Sequence, residues 1–156
     1  MAVSVKSITL WRREIEDRPG ALAETLAPLA DEPVGITVLM AYRFPGETNR
    51  AAVELFPVAG RRAVAAAQRA GLSASSIPAL LVEGDDAPGL GSRLSRAIAD
   101  AGINLDFVVA QVIGRKYSAV FGFAEKAGAT RAISLIKKAS AAPRAARKAS
   151  STSRTR

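Results

Sequence analysis

A diverged internal repeat constrains the fold of this chain more than any other feature. The segment Asp-Arg-Pro-Gly at residues 17–20 recurs as Asp-Ala-Pro-Gly at residues 86–89, an offset of 69 residues. At the same offset, Arg-Ala-Val at residues 62–64 falls on Arg-Ala-Ile at residues 131–133. An ordered series of matches at one spacing indicates duplication, so two copies of one small unit are predicted.

Each copy is predicted to run strand, helix, strand, strand, helix. Short β-branched or aliphatic runs that end in turn residues indicate strands. A helix is expected to begin at each Asp-x-Pro-Gly, because proline in a first turn needs no N–H partner. The ranges are strands 6–16, 36–43 and 50–58 with a second helix over 60–70 in copy 1, and strands 77–84, 103–113 and 117–124 with a second helix over 128–139 in copy 2.

The first helix of each copy carries an apolar stripe. In copy 2 the stripe is Leu90, Leu94 and Ile98; in copy 1 it is Leu22, Leu26 and Leu29. The two stripes share a register only at Leu29 and Ile98, which indicates that the copies have drifted. Pro28 is expected to kink or end the copy 1 helix.

This element order predicts an α+β fold of two tandem ferredoxin-like units, each with an antiparallel sheet covered by helices on one face. The last strand of each unit is expected to be short or missing, because few residues follow each second helix. The predicted division is residues 1–74, residues 75–139 and a disordered basic tail over residues 140–156, which lacks large apolar side chains.

Composition disfavours catalysis and cofactor binding. The chain has no cysteine and no histidine, the residues that most often supply thiolates, metal ligands and proton transfer near neutral pH. No cofactor and no metal are therefore expected. The remaining enzymatic hypothesis is a carboxylate cluster of Glu83, Asp85 and Asp86, with or without bound Mg²⁺. With neither a leader peptide nor a long apolar run, a soluble cytoplasmic protein with no membrane contact is expected.

The net charge of +8 lies almost wholly in residues 137–156, which include the predicted tail. Seven basic residues and no acidic ones occupy residues 137–156, whereas residues 1–136 hold 15 basic and 14 acidic residues. An alternative function is therefore a scaffold that contacts nucleic acid, or another anionic partner, weakly through this tail.

With Asp-x-Pro-Gly following a strand in both copies, and Ala-Gly-Ile-Asn-Leu at residues 101–105, the chain resembles the ACT domain family over about residues 5 to 139. These domains are ligand-sensing modules of amino-acid metabolic enzymes and also occur as free-standing tandem proteins. The resemblance implies a regulatory protein, not an enzyme, that binds a small molecule, usually an amino acid. The ligand would lie near the loop between first strand and first helix, at an interface between two units, and a homodimer is expected through exposed sheet edges.

The residues themselves are compatible with such a site. A helix N-terminus offers unpaired N–H groups to a carboxylate, and an aspartate can take an ammonium. Asp-x-Pro-Gly is equally a good strand-to-helix turn, and Asn104 could serve a turn instead of a ligand. Copy 1 has Pro33-Val34-Gly35 in place of the Gly102-Ile103-Asn104 segment, so its site lacks a polar anchor. The candidate ligand-binding residues are Asp86, Ala87, Pro88, Gly89, Leu90 and Asn104 in copy 2, and Asp17, Arg18, Pro19, Gly20 and Ala21 in copy 1.

Overall fold

The computed structural model describes residues 3–141. They form eight strands and four helices, in the order that two strand-helix-strand-strand-helix copies predict, with additional strands at two places. The elements are β1 (Ser4–Ile8), β2 (Trp11–Glu16), α1 (Ala21–Ala30), β3 (Val38–Arg43), β4 (Arg50–Phe56), α2 (Arg61–Arg69), β5 (Ser73–Ala74), β6 (Ala79–Asp85), α3 (Leu90–Asp100), β7 (Leu105–Ile113), β8 (Lys116–Phe123) and α4 (Lys126–Ala141).

The strands form two antiparallel four-stranded sheets. One sheet has the order β3-β4-β2-β5 and, with α1 and α2, forms unit 1. The other has the order β1-β6-β8-β7 and, with α3 and α4, forms unit 2. Both orders place the first strand of the repeat in the sheet interior and the second at an edge, so the predicted α+β fold of two ferredoxin-like units is confirmed.

The N-terminal strand belongs to the second sheet. β1 pairs antiparallel with β6 from Ser4 opposite Glu83 to Ile8 opposite Ala79, whereas β2 pairs with β4 and β5. The single strand predicted over residues 6–16 is therefore wrong, because the chain changes sheets at Thr9 and Leu10. β1 supplies the last strand that residues after the final helix do not provide, and the last strand of unit 1 is the short β5.

Both Asp-x-Pro-Gly segments start helices as predicted. Gly20 and Gly89 cap α1 and α3 with φ values of 89° and 80°, a left-handed conformation that glycine adopts without steric cost. The predicted copy 1 stripe is wrong in register. The buried side chains of α1 match those of α3 throughout at the 69-residue offset, and Pro28 lies inside α1 without ending it: Ala21, Thr25 and Leu29 correspond to Leu90, Leu94 and Ile98.

Three apolar clusters hold the units together. One lies between the unit 2 sheet and its helices, and another between the unit 1 sheet and its helices. The third joins the two sheets through their helix-free faces, with Met40 of β3 in the same cluster as Leu81 of β6 and Val120 of β8. The helices therefore lie on the outside of two sheets that pack against each other.

α4 extends two residues into the predicted tail, which was expected to begin at residue 140. Ser140 and Ala141 are helical, and buried Ser140 accepts a hydrogen bond from the backbone N–H of Val3 at 3.2 Å. The rest of the predicted tail, residues 142–156, lies outside the described residues, so its predicted disorder is untested. Among the described helices, none is long and apolar enough to cross a membrane.

Candidate ligand-binding loops

The unit 2 loop between β6 and α3 is held by its backbone. The N–H of Asp86 donates to the carbonyl of Arg115 at 2.8 Å, and the N–H of Leu90 donates to the carbonyl of Ala87 at 2.9 Å. Within residues 3–141 the carboxylate of Asp86 forms no ion pair, whereas its neighbour Asp85 is bound by Lys116. The loop thus presents a free carboxylate beside the N-terminus of a helix.

Arg93 adds a cation to this loop that is not among the candidate residues predicted from the sequence. The side chain leaves the first turn of α3, and its Nη1 donates to the carbonyl of Pro88 at 3.1 Å. Its Nε is buried and has no hydrogen-bond partner among the described atoms. At the repeat offset, Arg93 corresponds to Glu24. This reversal of charge between the copies is the sequence feature that could have indicated a difference between the two loops.

In the corresponding unit 1 loop, the charged side chains form ion pairs with other residues of the same unit. Asp17 Oδ2 lies 2.6 Å from Arg43 Nε. The Arg18 guanidinium donates to both oxygens of Glu24, at 3.0 and 2.5 Å, and this contact lowers the pKa of the Glu24 carboxyl. A cavity of about 200 Å³ lies beside this loop, but its charged groups already have partners.

Within the described residues, unit 2 has no equivalent of either pairing. The position of Arg18 is Ala87. In the strand register the position of Arg43 is Val112, because their partners Ala51 and Tyr117 also pair with the equivalent residues Ile15 and Gly84. The two copies therefore share the loop backbone but differ in whether its charges are free.

The structure does not bring Asn104 to the Asp86 loop of the same chain. β6 and β7 both run antiparallel to β8, so they are parallel, and the start of β7 lies at the end of the sheet away from the loop. Asn104 instead lines a cavity of about 240 Å³ with Glu125 and Arg131. A nine-residue strand spans about 30 Å, which is too far for one ligand to contact both places.

β7 is an exposed edge strand with apolar side chains on both faces. β7 pairs with β8 on one side, and within the described residues it has no strand on the other. Large apolar residues cluster along it with the exposed fractions Val108 45%, Val109 48%, Val112 50% and Ile113 68%. Such an edge is a ready template for pairing with another strand.

The carboxylate hypothesis gains no support. Asp85 is neutralised by Lys116 Nζ at 2.5 Å, and this ammonium lowers the pKa of its carboxyl. Across residues 3–141, no group of three or more potential metal ligands lies close enough to hold an ion. Glu83, Asp85 and Asp86 therefore do not come together as a metal-binding cluster.

Comparison with known proteins shows the fold but no relative by sequence. No protein-family model matches the chain, and no curated protein matches it significantly. A solved structure of a protein from Bacteroides thetaiotaomicron is similar with a TM-score of 0.68 and 13% identity, over 86% of this chain and 89% of that one. The ligand-free regulatory subunit of aspartate kinase from Thermus thermophilus is similar with a TM-score of 0.59 and 16% identity, over 89% and 97% of the two chains.

A third similar structure is the regulatory subunit of aspartate kinase from Thermus flavus, with a TM-score of 0.54, 17% identity and the same coverage of 89% and 97%. Two of these three structures are thus regulatory subunits, and each aligns along nearly its whole length. This chain therefore shares the fold of these structures, two tandem ferredoxin-like units, as its element order predicts.

Proposed function

We propose that this protein is a stand-alone regulatory binder of a small molecule, of the amino-acid class, and that it acts in the cytoplasm without catalysing a reaction. The fold it shares with regulatory subunits of aspartate kinase supports a regulatory role. The absence of cysteine and histidine from the sequence supports a function other than catalysis.

The observation that carries the proposal is a carboxylate and a guanidinium at the unit 2 loop, Asp86 and Arg93, neither of which has an ion-pair partner within residues 3–141. Asp86 offers a carboxylate to a ligand ammonium. The N-terminus of α3 and Arg93 offer donors and positive charge to a ligand carboxylate, and Gly89 allows the ligand to approach the backbone. An α-amino acid carries this pair of charges on one carbon.

A homodimer through β7 completes the site in this proposal. Antiparallel pairing of two β7 edges about a twofold axis would place the start of one strand beside the end of the other. The partner subunit's Asn104 would then lie near Val112 and the Asp86 loop, which one chain alone cannot achieve. The exposed apolar side chains of β7 would be covered in the same step.

A thermal-shift screen of the twenty amino acids on the full chain tests the binding role. One chemical class should raise the melting temperature in a saturable way, because a ligand that binds only the folded state stabilises it. Asp86→Asn and Arg93→Gln should each lower the affinity at least about tenfold, the effect of losing one charge-assisted hydrogen bond. Asp17→Asn is the matched control at the paired loop and should leave the affinity unchanged.

A flat screen on folded dimeric protein would refute amino-acid binding. An equal loss of affinity in Asp17→Asn would show that the unit 2 loop is not the site.

Sedimentation velocity tests the dimer. Val109→Lys should give a monomer, because it places a charge on an apolar edge, whereas Lys6→Gln on the exposed face of β1 should not. If Val109→Lys sediments like the unmodified chain, β7 is not the interface.

A further inference from the structure

Two polar side chains replace core residues in unit 1. Arg13 of β2 and Thr25 of α1 fall at the 69-residue offset on Val82 and Leu94, both fully buried apolar residues of the unit 2 core. Thr25 is itself fully buried. Because the two units share one fold, Val82 and Leu94 show that packing at these two positions is achieved with apolar side chains. Packing alone therefore does not explain Arg13 and Thr25.

The two replacements contact each other. Arg13 Nη1 donates to Thr25 Oγ1 at 3.3 Å and to the carbonyl of Ala70, at the C-terminus of α2, at 2.8 Å. Thr25 Oγ1 also donates to the carbonyl of Ala21 at 2.9 Å. These bonds fix the guanidinium and use only one of its three nitrogens.

The guanidinium of Arg13 has no carboxylate partner among residues 3–141. It lies close enough to Glu24 to lower the pKa of that carboxyl, but both Glu24 oxygens are bound by Arg18. Gly71, with a φ of 76°, makes room for Arg13, since a Cβ at this position would lie 3.0 Å from Arg13 Nε. A half-buried cation is therefore held in place without a counter-charge.

Arg13 lines the cavity left beside the short last strand of unit 1. β5 covers only Trp11 and Arg12 of β2, whereas β1 covers five residues of β6 in unit 2. The resulting cavity of about 420 Å³ is also lined by Ser73, Ser75 and Ser76, and the hydroxyl of Ser75 accepts a hydrogen bond from the N–H of Ile77 at 3.2 Å. Glu14 also lines it, but this carboxylate is bound by Arg50 at 2.5 Å.

We propose that this cavity is a binding site for the oxyanion group of a small molecule, a carboxylate or a phosphate, held by Arg13 Nε and Nη2 and by the serine hydroxyls of β5 and the following connector. A guanidinium presents two parallel N–H donors to such a group, and hydroxyls donate to its remaining oxygens. The site belongs to unit 1 and is separate from the amino-acid site proposed on unit 2. Bound anion would bridge β2 to the connector that leads into unit 2.

Amide chemical shifts of the ¹⁵N-labelled full chain, titrated with inorganic phosphate or with acetate at constant ionic strength, test the proposal. The amides of Gly71, Ser73 and Ser75 should shift in a saturable way. Ser73→Asp places a carboxylate beside Arg13 and should weaken binding at least about tenfold. Ser95→Asp, an exposed serine on α3, should leave binding within about twofold.

The two probes distinguish the sources of the anion: saturation by phosphate alone identifies a phosphate-bearing ligand, and saturation by acetate identifies a carboxylate. Arg13→Gln should abolish both titrations if it folds, and Ser73→Asp keeps the test valid if it does not. The proposal is overturned if neither probe saturates these amides on the folded chain, or if Ser95→Asp weakens binding as much as Ser73→Asp does.

Discussion

Removal of residues 1–8 should destabilise unit 2, although these residues precede unit 1 in the sequence. The truncation deletes all five residue pairs between β1 and β6 and removes the buried side chains of Val3 and Ile8. Burial of a side chain of this size contributes about 1.5–3 kcal/mol, so the two together account for about 3–6 kcal/mol. This is a large share of the roughly 5–15 kcal/mol by which a typical domain is stable.

Two probes separate the units in this experiment. Trp11, the only tryptophan, packs against the unit 1 core, so its fluorescence during urea unfolding reports unit 1. Amide hydrogen exchange in β6 and β8 reports unit 2. The truncated chain should lose protection in β6 and β8 while the fluorescence transition moves less, and Lys6→Gln should change neither.

A truncated chain that keeps its protection in β6 and β8 and loses it in β4 would contradict this prediction. That result would mean that the N-terminal strand supports unit 1, as a single strand over residues 6–16 would.

Three further substitutions test the packing. Gly122→Ala should destabilise the protein by about 1–3 kcal/mol in urea unfolding, because the new Cβ would collide with the Phe107 ring. Burial raises the pKa of the Glu54 carboxyl above its ordinary value, with Arg12 opposing the shift. The folded state therefore holds that proton more tightly, and the unmodified chain should lose stability relative to Glu54→Gln as pH rises above about 4.5; the opposite trend would show that the ion pair with Arg12 dominates. Pro28→Ala should stabilise α1 by about 1–3 kcal/mol and so raise the melting temperature, because it restores a backbone donor inside the helix. An unchanged melting temperature would mean that the proline fits the helix without cost.

The element order could be predicted from the sequence because it depends on local signals. Proline after Asp-x starts a helix, glycine permits the turn before it, and apolar runs between turn residues form strands. Because of the repeat, the sequence shows the pattern of each element twice. The observed hairpins and helices lie within a few residues of the predicted bounds.

The exchange of β1 could not be predicted in the same way. No glycine or proline separates Ile8 from Trp11, so the run reads as one strand. Its true partner, β6, lies some 75 residues away, and periodicity carries no information on which strand pairs with which. The polar pair of Arg13 and Thr25 was hidden for a related reason, since polar residues in amphipathic segments are assigned to solvent unless the fold is known.

The candidate site was predicted in part. The sequence predicts the Asp86 loop as a candidate site, but the placement of Asn104 at the other end of the sheet and the contact of Arg93 with the loop needed the sheet order and the side-chain contacts. The charges of the unit 1 loop are paired by Arg43 and Glu24, and those of the unit 2 loop are not. Arg43 lies far from the motif in the sequence, and Glu24 is replaced by a residue of opposite charge, Arg93, in copy 2.

The central claim is that the unit 2 loop is the amino-acid site and that the unit 1 loop is closed by its own ion pairs. Isothermal titration calorimetry of the full chain, with the amino acid that gives the largest thermal shift, measures this directly as a stoichiometry. One amino acid per chain is expected at this site, bound at least about tenfold more weakly by Asp86→Asn and with unchanged affinity by Asp17→Asn. An affinity that Asp86→Asn leaves unchanged, or an amino acid whose binding Asp17→Asn removes, would contradict the claim.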